Sequence, residues 1–574
     1  MLHRVPRLML AGASLVLIAA IASACAPRVE PATMVLRNGK IATVDEAKPE
    51  AQAIAISGDR IVAVGTNDEI QPYVGPTTEV VDLKGMLAIP GFIESHGHFT
   101  GVGQAKMSLN LMKVKNWDEV VQIVADAVAK AQPGDWIVGR GWHQEKWDKT
   151  PEPNVEGFPT HDSLSKVSPN NPVILTHASG HATFANAKAM ALAGTTAKTP
   201  NPPGGEILKD KRGAPIGVFR ETASGLVGRA RSASREKMTD AEREAEGRKI
   251  IQLANEDVLS KGVTTFHDAG ADFDTIDLFK KVTDEGQMGV RLWVMVRTSP
   301  AQLAEKLDAY KLIGYGNNHL TVKAIKVSID GALGPRGAWL LAPYADMPGS
   351  TGLNTTPVDV VKETAAIAAA KGFQLCVHAI GDRANRETLN IFEETFKANP
   401  DKKDLRWRIE HAQHLSAADI PRFGQLGVIA AMQGVHCTSD APYVLQRLGP
   451  GRAEEGAYVW QKLMKTGAVI SNGTDAPVED VDPIASYYST VSRRLKDGSV
   501  FYGDQRMSRA EALKSYTING AFAGFEENIK GSLTAGKLAD VTVLSKDILT
   551  VPEDEIPTTQ VVYTIVGGKI AFKR

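Results

Sequence analysis

The feature that most constrains the fold is the alternation of short apolar stretches with amphipathic segments from residue 358 onward. Apolar stretches such as FQLCVHAIGD, LRWRIEHAQH and AVISNGTDAP alternate with helical segments such as VDVVKETAAIAAAKG and RANRETLNIFEETFKANP. Repeated β–α units of this size predict an α/β fold with a parallel sheet. The pattern alone does not distinguish a closed barrel from an open sheet.

Both ends of the chain show a different pattern, one of short strands joined by tight turns. MVLRNGKIATV and AQAIAISGDRIVAVG near the N-terminus predict hairpins that turn at Asn38-Gly39 and Gly58-Asp59. The C-terminal segments GKLADVTVLSKD and VVYTIVGGKIAFKR are also rich in strand-forming residues. We therefore expect one small sheet domain, assembled from both termini, beside the alternating middle.

Polar side chains follow the predicted strands of the middle region at the points where the strands end. In a parallel barrel these ends open on one face, where active sites lie, so the polar residues favour a barrel. Side chains at positions i and i+2 of a strand point the same way, so His96 and His98 are expected to converge on one point. This spacing suits two imidazoles on one metal ion such as zinc. The residues are His96, His98, Lys326, Asp330, His378, His411 and Asp475.

The first 25 residues form a separate segment, which we exclude from the fold. MLHRVPR is basic, and LMLAGASLVLIAAIA is an apolar run of signal-peptide length. IASAC has small residues before Cys25 and resembles a bacterial lipoprotein box. We expect export, with the mature protein either periplasmic or lipid-anchored to the cell envelope through Cys25. An ordinary cleavage site or an uncleaved anchor are the alternatives.

The charge composition argues for a small-molecule partner rather than a polyanion. The 574 residues include 65 Lys and Arg against 66 Asp and Glu, for a formal net charge of −1. This balance gives no basis for nucleic-acid binding or for a polybasic membrane surface. Cys376 and Cys437 form no CxxC pair and are expected to be packed thiols.

Several motifs resemble the amidohydrolase superfamily, and more narrowly its family-3 branch of YtcJ-like proteins and N-substituted formamide deformylases. These motifs are GFIESHGHF, IKVSIDGALG, CVHAIGDRA, IEHAQ, NGTDAP and GSLTAGKLADVTVLSKD. The resemblance implies a metal-dependent (β/α)8 TIM-type barrel over residues 86–515, with an insertion at about 140–230. It also implies a β-sandwich formed by residues 32–85 together with 516–574.

The same resemblance assigns metal ligands. It implies that His96 and His98 hold the more buried metal, and that His378 and His411 hold the second. Asp475 would contact a metal and accept the proton of the attacking water. The cofactor is expected to be a divalent metal, zinc in the first place, with one or two ions per chain.

Lys326 matches the position that bridges two metals as N6-carboxylysine in two-metal members of the family. Lys323 has the opposite strand parity and is the alternative. Two residues of GFIESHGHF depart from the usual form of this first family motif: Glu94 stands where Asp is usual, and Gly97 where a bulkier residue is common. Neither departure removes an expected ligand.

The function implied by the resemblance is hydrolysis of a non-peptide C–N bond in an amide, N-acyl or N-formyl compound. His181 would donate to the developing oxyanion, and His436, at the end of VIAAMQGVH, would contact substrate. Asp330 and Glu221 are further expected substrate-binding residues. The segment TPNPPGGEILKDKRGAPIG reads as a loop or hairpin over the barrel mouth, from which Glu206 or Glu221 would face the substrate.

Two other functions remain open at this point. The same metal chemistry serves C–O and P–O hydrolases, such as lactonases, esterases and triesterases. The chain is also compatible with a non-catalytic metal-binding lipoprotein, although a strand-end Asp beside an open coordination position argues against storage. A homodimer is expected from the family resemblance alone.

Overall fold

The computed structural model describes Met1 and residues 29–236 and 238–574. The predicted signal peptide and Cys25, apart from Met1, lie outside the described residues. Within the described ranges, none of the helices combines the length and the apolar character needed to cross a bilayer.

Eight parallel strands form a nearly closed barrel, which confirms the predicted α/β barrel. Neighbouring strands pair in chain order. The segment directly after the last strand meets the end of the first through backbone hydrogen bonds: Asp475 N–H donates to the His96 carbonyl at 2.8 Å, and His98 N–H donates to the Ala476 carbonyl at 2.7 Å. The strands are β1 (Phe92–Gly97), β2 (Val263–Ala271), β3 (Arg291–Val296), β4 (Leu320–Ser328), β5 (Gln374–Ala379), β6 (Arg408–His411), β7 (Ile429–Gln433) and β8 (Ile470–Gly473).

Helices connect and surround these strands. The longest, Asp240–Ser260, starts with a capping box in which the Thr239 hydroxyl and the Glu242 carboxylate each accept a backbone N–H. Helix Val358–Lys371 ends at Gly372, whose φ of 67° suits glycine. Among the described residues, the other α-helices of six or more residues are Phe99–Lys106, Trp117–Val128, Asp162–Val167, Ala187–Leu192, Ser224–Arg235, Phe273–Asp284, Pro300–Lys306, Asp382–Ala398, Ile420–Leu426, Gly434–Leu448, Pro450–Gly456, Pro483–Ser492, Arg509–Ser515 and Ile518–Ala523.

The two ends of the chain together form two packed sheets. Leu36 and Ile54 of one sheet share a buried core with Val541 and Ile565 of the other. The first sheet has the order Arg60–Gly65, Ala53–Ser57, Met34–Arg37, Glu79–Asp82. The second has the order Lys569–Lys573, Val561–Val566, Val541–Leu544, Leu87–Pro90, Lys40–Ala42, Glu50–Ala51.

The predicted hairpin at Asn38-Gly39 is wrong. Strand Met34–Arg37 pairs within the first sheet, whereas Lys40–Ala42 pairs within the second, so the two residues carry the chain between sheets. A Cβ at Gly39 would lie 2.4 Å from Leu83 Cδ1, so glycine leaves room for Leu83 at this crossing, while Asn38 takes the left-handed conformation with a φ of 56°. The Gly58-Asp59 turn, by contrast, joins an antiparallel pair as predicted.

A third sheet is inserted between β1 and β2 and covers part of the barrel mouth. Its last two strands form an antiparallel hairpin, as predicted for the Pro/Gly-rich segment. Its strands, in spatial order, are Gly205–Lys209, Pro215–Glu221, Ala182–Ala185, Val173–His177, Ile137–Trp142 and Leu109–Asn110. This sheet brings residues far from the barrel strands in sequence to the cavity.

Candidate metal centre

The carboxyl ends of the barrel strands open into a cavity of about 420 Å³. His96 lies at its floor and is fully buried. The cavity lining includes most of the residues expected from the sequence, namely His98, His181, Glu221, Lys326, Asp330, His378, His411 and Asp475. The structure thus brings residues from five of the strand ends to one place.

A compact group of nitrogen and oxygen atoms lies at the base of the cavity. His96, His411 and Asp475 each offer one ligand atom, and these atoms lie within 4.8 Å of one another. His98 Nε2 is 3.3 Å from Asp475 Oδ1. The ring of His378 is centred 4.5 Å from that of His411. This is the arrangement expected of residues that share one or two cations.

The chemistry of these side chains fits a divalent cation. His378 Nε2 and Asp475 Oδ1 are buried, and no described residue gives either a hydrogen bond, which is uncommon for buried polar atoms. Burial lowers the pKa of His96 to about 4, so its imidazole is neutral and has a lone pair to offer. Imidazole nitrogens with a carboxylate are ligands that suit zinc and related metals.

A second layer of side chains orients the histidines. His96 Nδ1 hydrogen-bonds to Glu410, which leaves Nε2 facing the cluster. His411 Nδ1 lies 2.7 Å from Gln433 Oε1 with the same consequence. Glu410 also accepts from Arg408 Nε at 2.7 Å, and both partners are fully buried. Such partners set the tautomer and the direction of a metal-binding imidazole.

The backbone is strained at two of these residues. His411 has a φ of 77° and Asp475 a φ of 59°, in the left-handed region that side-chain-bearing residues rarely adopt. Such conformations cost of order 1–3 kcal/mol each and are concentrated at functional sites. Both residues stand at or just after the end of a barrel strand, where this turn of the backbone directs them to the cluster.

Lys326, and not Lys323, reaches the site. Lys326 Nζ lies 3.3 Å from His96 Nε2, and burial lowers its pKa to about 8. Lys323 Nζ instead lies 3.5 Å from the centre of the Phe525 ring, outside the barrel. The alternation of side chains along β4 separates the two lysines, as strand parity predicts.

The two departures from the usual first motif have packing roles. Glu94 accepts the Thr474 backbone N–H at 2.7 Å and the Thr474 hydroxyl at 2.8 Å, and so ties β1 to the segment after β8. A Cβ at Gly97 would lie 2.5 Å from Phe266 Cζ on β2. The Phe266 ring therefore occupies the space that a bulkier residue 97 would need.

His181 faces the cluster from the inserted sheet. Its Nδ1 lies 2.7 Å from Glu221 Oε2, and its ring is centred 4.8 Å from that of His378. Burial acts to lower the pKa of His181, but the Glu221 carboxylate outweighs it and the pKa is raised. Glu206 instead pairs with Arg220 at 2.8 Å and does not line the cavity, so of the two alternatives Glu221 is the residue that faces it.

His436 and Asp330 have surroundings that the sequence did not indicate. β7 ends at Gln433, and His436 lies in the first turn of helix Gly434–Leu448 rather than at a strand end. At the start of this helix Gly434 packs closely against Thr490, and a Cβ there would lie 2.1 Å from Thr490 Oγ1. The carboxylate of Asp330 accepts the backbone N–H groups of Trp339, Ile380 and Gly381 at 2.8–3.0 Å, so it holds the surrounding loops.

Sequence reasoning missed three residues of the site: Glu410, Arg140 and Arg297. Glu410 had one available sign, because the charged residues of RWRIEH lie in an otherwise apolar strand and buried charges need partners. Arg140 and Arg297 line the cavity; Arg140 lies in the segment GRGWHQEKW, and Arg297 directly follows β3, so each had a local sign in the sequence.

The barrel and the histidine–carboxylate cluster at its strand ends define a metal-dependent hydrolase. A model of the amidohydrolase family matches residues 79–572, and the chain belongs to that family.

Known proteins are similar over nearly the whole chain. Protein LONG AFTER FAR-RED 3 of Arabidopsis thaliana is 33% identical, over 94% of this chain and 91% of its own length. An N-substituted formamide deformylase of Arthrobacter pascens is 28% identical, over 94% and 98%. The crystal structure of an uncharacterized metal-dependent hydrolase from Pyrococcus horikoshii superposes with a TM-score of 0.71 at 26% identity, covering 91% of this chain and 99% of that one.

Proposed function

We propose that this protein hydrolyses a non-peptide C–N bond of a small molecule, in an amide, N-acyl or N-formyl compound. The observation that carries the proposal is the convergence of His96, His411 and Asp475 at the cavity base, with His181 facing them from the inserted sheet. The similarity to a formamide deformylase over almost the full length of both chains supports this bond type.

The residues divide the chemistry between them. A divalent cation, which we take to be zinc, would lower the pKa of a water molecule and polarise the substrate carbonyl. Asp475 accepts the proton of the attacking water and returns it to the leaving amine. His181, held by Glu221, donates a hydrogen bond to the carbonyl oxygen as negative charge develops there.

We propose that Lys326 is carboxylated and bridges two metals. An ammonium group among metal-binding histidines would be repelled by a cation, whereas a carbamate is anionic and can bind one. The contact with His96 and the lowered pKa, which favours the reactive neutral amine, support this proposal. Isotope-labelled bicarbonate should give a carbamate signal in the native protein that Lys326→Arg lacks, and its absence from both would contradict it.

The test of the proposed reaction is turnover by the metal-loaded chain without its N-terminal segment and Cys25, residues 26–574, on matched N-acyl amines, lactones, aryl esters and phosphotriesters. We expect the highest kcat/KM on the N-acyl compounds. Asp475→Asn should lower kcat by about 10²–10⁴-fold, the range of general acid–base catalysis.

Asp480→Asn is the matched control, because Asp480 lies in the same segment but is mostly exposed and pairs with Lys261 at 3.3 Å. It should leave turnover unchanged. A preference for lactones or esters over N-acyl amines would reassign the bond that is cleaved. An active Asp475→Asn variant would remove Asp475 from the proton transfer.

We also propose that the chain is exported and anchored through a lipid on Cys25. The basic segment, the apolar run and the small residues before Cys25 support the proposal. The native chain should fractionate with bacterial membranes, and Cys25→Ser should not. A native chain that stays in the cytoplasm would refute export.

A further inference from the structure

The cavity wall carries two arginines that the hydrolytic chemistry does not use, Arg140 and Arg297. Among the described residues, no carboxylate lies within the 4.0 Å of an ion pair from either guanidinium. Arg140 donates to the carbonyl oxygens of Pro477 and Ala178, both at 3.1 Å. Neutral oxygens satisfy hydrogen bonds but leave the positive charge without a counter-ion.

Arg297 is held in place and is exposed within the cavity. Its Nη2 donates to Ser328 Oγ at 3.2 Å. Its aliphatic stem passes over Gly270, where a Cβ would lie 2.8 Å from Arg297 Cδ. A guanidinium has five N–H donors, and only one is used in contacts with the described residues. The remaining donors are available to a ligand.

The position of Arg297 relates it to the reacting bond. Ser328, its hydrogen-bond partner, stands two residues after Lys326 on β4 and faces the same way. At about 3.3 Å of strand rise per residue, the two lie roughly 7 Å apart. A group bound at Arg297 is therefore a short distance from a carbonyl held at the metal cluster.

We infer that the substrate carries a carboxylate close to the scissile bond, and that Arg297 binds it. The planar guanidinium fork matches a carboxylate with two parallel hydrogen bonds, and Arg140 adds a second positive charge to the same cavity. This inference rests on the proposed function for the identity of the scissile bond. It narrows the substrate class to amides with an anionic substituent near the amide.

The test measures, by calorimetry, how tightly the metal-loaded protein binds two compounds that it cannot hydrolyse. The two compounds are N-methanesulfonylalanine and its primary carboxamide, a matched pair. We expect the carboxylate to bind about 10–100-fold more tightly than the carboxamide, as for a charge-assisted hydrogen bond. Arg297→Met keeps a long stem over Gly270 but removes the charge, and should bring this ratio close to one. Arg297→Lys should restore part of it.

Arg212→Met is the matched control, because Arg212 is an exposed arginine that pairs with Asp210 at 3.0 Å, away from the cavity. It should keep the full ratio. Equal affinities in the native protein, including no measurable binding of either compound, would overturn the inference. So would a preference that survives Arg297→Met, since Arg140 or the metal would then account for it. Failure of the proposed function appears separately, as absence of amide hydrolysis.

Discussion

Glu410 orients a histidine of the candidate metal centre, although it is not itself expected to bind a metal. It accepts hydrogen bonds from His96 and from Arg408, and Arg408 also donates to the Ser95 carbonyl at 2.6 Å. Arg408 holds the pKa of the Glu410 carboxyl far below its usual range, against the effect of burial. Glu410 therefore remains an anion inside the barrel and fixes the His96 tautomer.

Glu410→Gln should weaken metal binding by about 10–100-fold, because an amide is a poorer and less directional acceptor for the His96 N–H. The same change leaves Arg408 buried without its counter-charge, at a cost of about 3–5 kcal/mol. The two effects are separated by titrating metal into the folded variant and by denaturing the metal-free form.

The control is Glu393→Gln, which removes a partly exposed glutamate that pairs with Arg422 at 2.8 Å on the outer surface. It should alter neither metal affinity nor stability by more than a small amount, as exposed pairs contribute about 0–1 kcal/mol. Native metal affinity in Glu410→Gln would show that His96 keeps its orientation without the carboxylate.

At the residue scale, the sequence indicated the side chains that converge at the strand ends better than the groups that hold them. His96, His378, His411 and Asp475 each follow an apolar stretch, so local pattern and barrel geometry together bring them to one face. The contact between His96 and Glu410 joins residues 314 positions apart, and no local pattern encodes such a pair. The lack of a counter-ion for Arg297 among the described residues is likewise a three-dimensional property.

At the scale of elements, the packing of β1 against β2 depends on the small size of Gly97, beside two residues of the candidate metal centre. Gly97 lies between His96 and His98, and the Phe266 ring fills the space above it. The sequence showed that glycine is present but not why, because Phe266 lies far along the chain. The same limit explains why the hairpin predicted at Asn38-Gly39 was wrong. The local turn chemistry suits a hairpin, but long-range pairing places the two flanking strands in different sheets.

Gly97→Ala should destabilise the protein by about 1–3 kcal/mol, since the new methyl group overpacks a filled core. It should also weaken metal binding, because the neighbouring His96 and His98 must move with the strand. The combined variant Gly97→Ala, Phe266→Leu should recover part of both losses, as leucine lacks the ring atom nearest to residue 97. Chemical denaturation and metal titration of the single and double variants measure this coupling, and strictly additive effects would contradict it.

At the scale of the whole molecule, a buried ion pair joins the barrel to the sheets formed by the chain ends. Arg291, at the start of β3, donates to both carboxylate oxygens of Asp540, at 2.8 and 3.0 Å. Their side chains are only 2% and 5% exposed. Asp540 also accepts the Gly567 N–H at 2.9 Å, so a C-terminal turn is held by the same carboxylate. The association of the two parts thus includes a directional contact as well as apolar packing.

The Arg291–Asp540 ion pair predicts how the free energy of unfolding depends on pH. Burial alone would raise the pKa of Asp540, but the guanidinium of Arg291 outweighs it and the pKa is lowered. A carboxyl with a lowered pKa stabilises the folded state above the ordinary aspartate pKa, and this contribution is lost as pH falls below about 4. Asp540→Asn should therefore cost about 3–5 kcal/mol near neutral pH. Its difference from the native protein should shrink steadily as the pH is lowered past 4.

A double-variant cycle separates the ion pair from its surroundings. Arg291→Met and Asp540→Asn each leave one partner buried without the other, whereas the double variant leaves no uncompensated charge at this position. The double variant should therefore be less destabilised than the sum of the two singles, by an interaction energy of about 1–3 kcal/mol. Chemical denaturation at neutral pH, followed by a probe in each part, gives the cycle. Arg291 also donates to the carbonyls of Asn317 and Asn318, at 3.0 and 3.2 Å. Additive losses would mean that these carbonyls are its main partners. The barrel and the terminal sheets would then be joined by apolar packing.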